Sequence, residues 1–180
     1  LHDADARGGG GAALVMAPSS VLENWARELR AWSALSVVEL KGGLSADERR
    51  SALERARDGR VEVVLTTHDM LNGLREEAGA VAWRVVVIDE LHEFKNAKSR
   101  RHETAAALRL HAHGARFGLT GTPFQNEYKE IYALFTLITG GAAFRTEYKD
   151  FKSFYEDPIQ RGYKQSASDE TQALGLERMD

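Results

Sequence analysis

The chain has 180 residues, 43% hydrophobic and 28% charged, with a formal net charge of -3 and no cysteine. That length supports one domain with its own core, and the lack of cysteine excludes a disulfide framework and thiolate zinc sites. Nothing in the overall charge announces a polyanion binder, and no apolar run approaches the ~20 residues needed to span a bilayer.

Leu1 to Arg7 is polar, unlike a signal peptide, and Gly8 to Gly11 completes a flexible segment over residues 1–11. Ala12 to Ala17 predicts a short buried strand that Pro18 ends, with Ser19 or Ser20 placed to cap the next helix. That helix carries Val21, Leu22, Trp25, Leu29 and Trp32 at helical spacing, which reads the tryptophans as core. Ser36 to Leu40 predicts a second strand, and Gly42-Gly43 a turn. Ser45 and Glu48 have the spacing of a capping box for a charged helix running to about Arg57. Val61 to Leu65 predicts a third strand opening into Thr66-Thr67, followed by a helix from about His68 to Glu77.

Val85 to Ile88 is the central strand. All four residues are apolar and β-branched, without polar alternation, so both faces should be buried in a parallel sheet. It ends in two adjacent carboxylates, Asp89 and Glu90, with His92 close behind. Ligands of open α/β sheets sit just beyond the carboxyl ends of the strands. There, one carboxylate suits a hard cation such as Mg²⁺, shared with substrate phosphates. Its neighbour suits the positioning and deprotonation of an attacking water. The blander alternative is that the two acids only begin a helix. His92 has no neighbouring ligand pattern, which argues against zinc.

A helix is predicted from about Ser99 to Leu110, then a short strand from Arg116 to Leu119 running into Thr120-Gly121-Thr122-Pro123. Asn126 or Glu127 opens an apolar helix with Ile131, Leu134, Phe135 and Ile138, which Gly140-Gly141 ends. Tyr148, Phe151, Phe154 and Tyr155 follow at near-helical spacing until Pro158 breaks it, and Ser166 to Asp180 is a weakly amphipathic tail. The alternation of strands and helices predicts βαβ units, with every strand's carboxyl end on one edge. Ser19, Ser20, Thr66, Thr67, Asp89, Glu90, Thr120, Gly121 and Thr122 gather there, a set suited to phosphate contact. Each stretch alone also reads as an ordinary cap or turn.

Four motifs carry a resemblance. They are Leu14 to Trp25, Val64 to Leu71, Asp89-Glu90-Leu91-His92 with Lys95-Asn96, and Leu119 to Asn126. Together they resemble motifs Ia, Ib, II and III of the SWI/SNF-type DNA-dependent ATPases of helicase superfamily two. Phe151 to Gly162, followed by Ala167, is similar to the Rad-fifty-four and Cockayne-syndrome-B-like excision-repair branch. The resemblance implies an α/β fold, a three-layer RecA-like lobe with a mainly parallel sheet, incomplete at its N-terminal edge where the phosphate-loop strand is missing. It implies a partial ATP-binding lobe over residues 12–155 and the start of an inter-lobe insertion over 156–180.

The function so implied is part of an ATP-dependent double-stranded-DNA translocase in chromatin remodelling or DNA repair, nuclear and without a membrane association. ATP and Mg²⁺ are the implied cofactors. Asp89 would hold Mg²⁺ through water, Glu90 would be the catalytic base, and Gln125 would assist. His92 would sit at the nucleotide and couple its state to DNA, with Thr120, Gly121 and Thr122 linking hydrolysis to movement between lobes. Ser19, Ser20, Thr66 and Thr67 would lie near the DNA backbone.

Departures from the family pattern qualify this. No Gly-X-X-X-X-Gly-Lys-Ser/Thr phosphate loop is encoded, nor a second RecA-like lobe, so the 180 residues alone are expected to be inactive. Leu91 is bulkier than the usual Ala or Gly, and Glu93 stands where a basic residue is usual. The alternative function is a degenerate, non-catalytic lobe that binds DNA or protein. An RNA helicase fits less well, given Lys95-Asn96 and the tail.

Overall fold

The computed structural model describes residues 11–122, 127–141 and 147–162. The chain divides into two compact units, Leu1–Gly121 and Thr122–Asp180. The first holds five strands: β1 (Ala13–Ala17), β2 (Val37–Leu40), β3 (Val63–Thr67), β4 (Ala82–Asp89) and β5 (Arg109–Leu119). Between them run α1 (Ser19–Trp32), α2 (Ala46–Arg57), α3 (His68–Asn72), α4 (Arg75–Gly79) and α5 (Arg100–Ala106). All pairings are parallel, in the order β2-β3-β1-β4-β5, which is the α/β three-layer arrangement expected from the sequence.

Right-handed crossovers set the layers. The chain steps one way from β1 to β2 and the other way in every later crossover, so α1 lies on one face and α2 to α5 on the other. Strand parity then assigns the core. Ala13, Val15, Ala17, Val63 and Leu65 pack under Leu22 and Ala26 of α1, with Val85 and Val87 partly buried beside them. Leu14, Met16, Val64, Val86 and Ile88 point to the opposite face and are fully buried. Full burial of such side chains contributes roughly 1.5–3 kcal/mol each, enough to fix the register of these strands.

Several local expectations shift. Pro18, not a serine, is the N-cap of α1. β3 begins and ends two residues later than its apolar run, because Thr66 and Thr67 still pair in register with Met16 and Ala17. The helix after Thr67 is interrupted at Gly73-Leu74. α5 stops at Ala106, and β5 is much longer than the Arg116 to Leu119 expected. Its first residues pair with Ala82 and Trp83 before an irregularity between Trp83 and Val85. Gly114 permits that close approach: a Cβ there would stand 2.7 Å from the Trp83 carbonyl oxygen. The capping box at Ser45 forms as the sequence predicts.

In the second unit, α6 (Tyr128–Thr139) ends at Gly140 in the left-handed conformation, φ 62°, as expected. α7 (Tyr148–Phe151) leads into a π-helical stretch (Lys152–Glu156) and then α8 (Asp157–Gly162). Pro158 therefore does not break the helix. It occupies the first turn of α8, where proline is tolerated, and the Asp157 N–H reaches back to Lys152 O in the wider turn. Tyr132, Tyr148, Phe151 and Tyr155 form a ring cluster with centroids 5.1–5.4 Å apart along Tyr148–Tyr132–Phe151–Tyr155. Gly8 to Gly10 and the tail Ser166 to Asp180 lie outside the described residues. Among the described residues, no helix is long and apolar enough to cross a membrane.

Candidate functional site

The parallel sheet brings the carboxyl ends of β1, β3, β4 and β5 to one edge. Ala17 is level with Thr67, and Asp89 with Leu119. The β4 strand ends at Asp89, and the next residue turns sharply. Glu90 has φ 51° and ψ 52°, the left-handed region. It is the one non-glycine residue with positive φ among those described. That conformation costs a side-chain-bearing residue roughly 1–3 kcal/mol, and such strain concentrates at functional sites. A single turn of 3₁₀ helix, Leu91–Phe94, follows and is pinned by buried Leu91 and Phe94.

The acid pair is tightly furnished. Asp89 Oδ2 accepts the Trp25 Nε1–H at 2.8 Å, and Oδ1 accepts the Glu90 backbone N–H at 3.0 Å. Glu90 Oε2 lies 3.2 Å from His92 Nδ1, and the same nitrogen lies 3.0 Å from the Thr120 hydroxyl. So Asp89, Glu90, His92 and Thr120 meet in one cluster, joining the end of β4 to the end of β5. Gly121 is exposed beside it, with open space where a Cβ would stand. Thr122 is exposed and falls in the second unit. Gln125 lies outside the described residues, as do Pro123, Phe124 and Asn126.

The four hydroxyl residues diverge. Ser19 and Ser20 are exposed in the first turn of α1. Thr67 is half-buried and caps α3, its Oγ1 accepting the Met70 N–H at 3.1 Å. Thr66 is fully buried, and its hydroxyl donates to the Leu40 carbonyl oxygen at 3.3 Å. Alternation along β3 sends Thr66 to the inner face, so its side chain is not presented at the edge.

A second group links the other layer to the turn. His68 Nε2 lies 3.0 Å from the Asp89 carbonyl oxygen, and Nδ1 lies 3.3 Å from Glu93 Oε2. Arg101 binds Glu93 and also reaches Asp69 Oδ1 at 2.9 Å. The unusual acid at position 93 is thus matched by a histidine and an arginine. Sequence reading placed Trp25 and Trp32 in the core and gave His68 no role; Trp25 does pack against the core, whereas Trp32 is 85% exposed. The available signal was the indole N–H, which requires a partner when its ring is covered.

The donor set fits a magnesium–nucleotide complex. Each Asp89 oxygen retains an acceptor site beyond its one hydrogen bond, and carboxylate oxygen suits a hard cation. Among the described residues no three or more His, Cys, Asp or Glu side chains gather as a metal cage.

Comparison with known proteins identifies the family and the fold. The SNF2-related domain family model matches residues 1–179. Mouse "DNA excision repair protein ERCC-6-like 2" is 32% identical over 166 residues, covering 92% of this chain and 10% of that protein. Zebrafish "Chromodomain-helicase-DNA-binding protein 1-like" is 37% identical over 147 residues, covering 80% of this chain and 14% of that protein. The chain thus spans about a tenth to a seventh of the length of these relatives. The fold is similar to that of the "Sulfolobus solfataricus SWI2/SNF2 ATPase core in complex with dsDNA", with TM-score 0.64 and 24% identity over 93% of this chain and 32% of that one. With the family model matched across almost its whole length, the chain belongs to the SNF2-related domain family.

Proposed function

We propose that this chain supplies part of the ATP-hydrolysing lobe of a double-stranded-DNA translocase that acts in chromatin remodelling or DNA repair in the nucleus. The observation that carries the reading is the turn at the end of β4. There Glu90 is held in a strained conformation, and its carboxylate meets His92, whose ring nitrogen also meets Thr120. In this reading the lobe covers residues 12–155, and an inter-lobe insertion begins at 156.

Asp89 would hold the Mg²⁺ of MgATP through water, and the bound ion would supply positive charge beside the phosphates. Glu90 orients the attacking water and accepts its proton, with Gln125 assisting. His92 senses the state of the Glu90 carboxylate and passes it to Thr120, hence to Gly121 and Thr122. Ser19, Ser20 and Thr67 contact the phosphate backbone of duplex DNA. Thr66 supports Thr67 from inside the sheet. The duplex in the Sulfolobus complex and the repair and chromatin names of the relatives support this assignment of partner.

The test uses the intact protein, with phosphate loop and second lobe. Duplex DNA stimulates its ATPase, and Glu90→Gln lowers turnover by ~10²–10⁴-fold while ATP and Mg²⁺ still bind. Normal hydrolysis by Glu90→Gln would return the acid pair to a helix-starting role and favour a non-catalytic binding lobe.

A further inference from the structure

Asp89 is gripped from both faces of the sheet. From the α1 side, the Trp25 indole N–H donates to its carboxylate Oδ2 at 2.8 Å. From the opposite side, His68 Nε2 meets its backbone carbonyl oxygen at 3.0 Å. A carbonyl only accepts, so Nε2 donates in that bond.

Packing alone explains neither contact. The Trp25 ring already lies against the α1 core cluster, and its N–H is spent on the carboxylate that closes β4. His68 is only 5% exposed, stands edge-on to Phe94 with centroids 4.9 Å apart, and is braced on its other nitrogen by Glu93. The carbonyl it holds belongs to the peptide linking Asp89 to Glu90. The tilt of that peptide sets the left-handed turn, and the turn aims the Glu90 side chain.

We infer that Trp25 and His68 are positioning residues for the acid pair: Trp25 fixes the rotamer of the Asp89 carboxylate, and His68 fixes the peptide plane that orients Glu90. This rests on the hydrolytic role of Asp89 and Glu90. Each residue reaches Asp89 from an opposite layer, so the pair sets both the metal-binding oxygens and the base without touching the nucleotide.

The experiment measures kcat, the KM for ATP at saturating Mg²⁺, and the Mg²⁺ dependence of binding of a fluorescent ATP analogue, all in the intact protein. Trp25→Phe keeps a ring and removes the N–H. His68→Phe keeps the edge contact and removes the Nε2–H donor, whereas His68→Gln carries an amide N–H near the Nε2 position. Trp25→Phe and His68→Phe each lower kcat about tenfold with KM within about twofold. Trp25→Phe also raises the Mg²⁺ concentration needed for analogue binding. His68→Gln recovers most of the loss, and Trp25→Phe adds nothing in an Asp89→Asn background, because it acts through that carboxylate.

Full kcat in both Phe variants, while Glu90→Gln is inactive, overturns the inference. So does a Trp25→Phe loss that multiplies fully with Asp89→Asn. If His68→Phe does not fold, His68→Gln is set against His68→Asn, whose shorter amide cannot reach the carbonyl; equal rates overturn the role of His68. A fully active Glu90→Gln removes the acid-pair reading itself, and this inference with it.

Discussion

Glu90 shows how one residue trades stability for position. A left-handed conformation favours glycine, yet a glutamate occupies it, its N–H satisfied by the Asp89 carboxylate. Glu90→Gly should therefore stabilise the fold by about 1 kcal/mol while abolishing hydrolysis in the intact protein, checked by thermal unfolding and ATPase rate together. Asp89 behaves differently. Asp89→Asn should raise the Mg²⁺ requirement of nucleotide binding as well as slow turnover, because a neutral amide is a poor ligand for a hard cation. A Mg²⁺ titration that leaves its half-maximal concentration unchanged would remove the metal role from Asp89.

Helix α2 shows a local signal becoming structure without help. The Ser45 hydroxyl accepts the Glu48 N–H at 3.2 Å, and the Glu48 carboxylate accepts the Ser45 N–H at 2.7 Å. The Ser45 backbone N–H, then its hydroxyl, hold the Glu48 carboxyl below its ordinary range. A lowered carboxyl pKa stabilises the fold above the unfolded value, and that stability is lost as pH falls through the folded value. Ser45→Ala should cost about 1 kcal/mol near neutral pH, and the cost should shrink in acid, as melts of the chain at two pH values will show. In the second unit, Tyr148 donates to Glu156 at 2.6 Å. Burial, then that carboxylate, push its hydroxyl up to about 12, so it stays protonated across the working range.

The whole sheet determines what the carboxyl edge can bind. In the proposed reading its hydroxyls and helix starts meet phosphates rather than bases, so duplex binding should be weak, independent of sequence and steeply reduced by salt. Replacing Ser19 and Ser20 by Ala should lower affinity by a similar factor on every sequence, measured by anisotropy at several salt concentrations. A marked base preference would contradict backbone contact. Arg101 is engaged by Asp69 and Glu93, whereas Lys98 and Arg100 are exposed. The 180 residues alone, which encode no phosphate loop, should show no DNA-stimulated ATPase.

Much of this was legible in the residues. The unbroken run Val85 to Ile88 announced a buried strand, and the acids after it announced the edge, because a polar group directly behind a buried strand has nowhere else to go. The box at Ser45 and the glycine at 140 marked helix ends, since capping depends on neighbours only a few positions apart. What the sequence could not show were the contacts that span layers. Trp25 and Asp89 are 64 positions apart, and they meet because α1 crosses the face to which Asp89 points. Thr66 and Thr67 look alike as residues, but strand parity buries one hydroxyl under its own layer and leaves the other to cap α3. The early part of β5 has little apolar signal. It is a strand because β4 pairs with it and Gly114 lets the two backbones close in. Local patterns fix elements through short-range hydrogen bonds and burial periodicity, whereas side chains distant in sequence find one another only once the crossovers have chosen their faces.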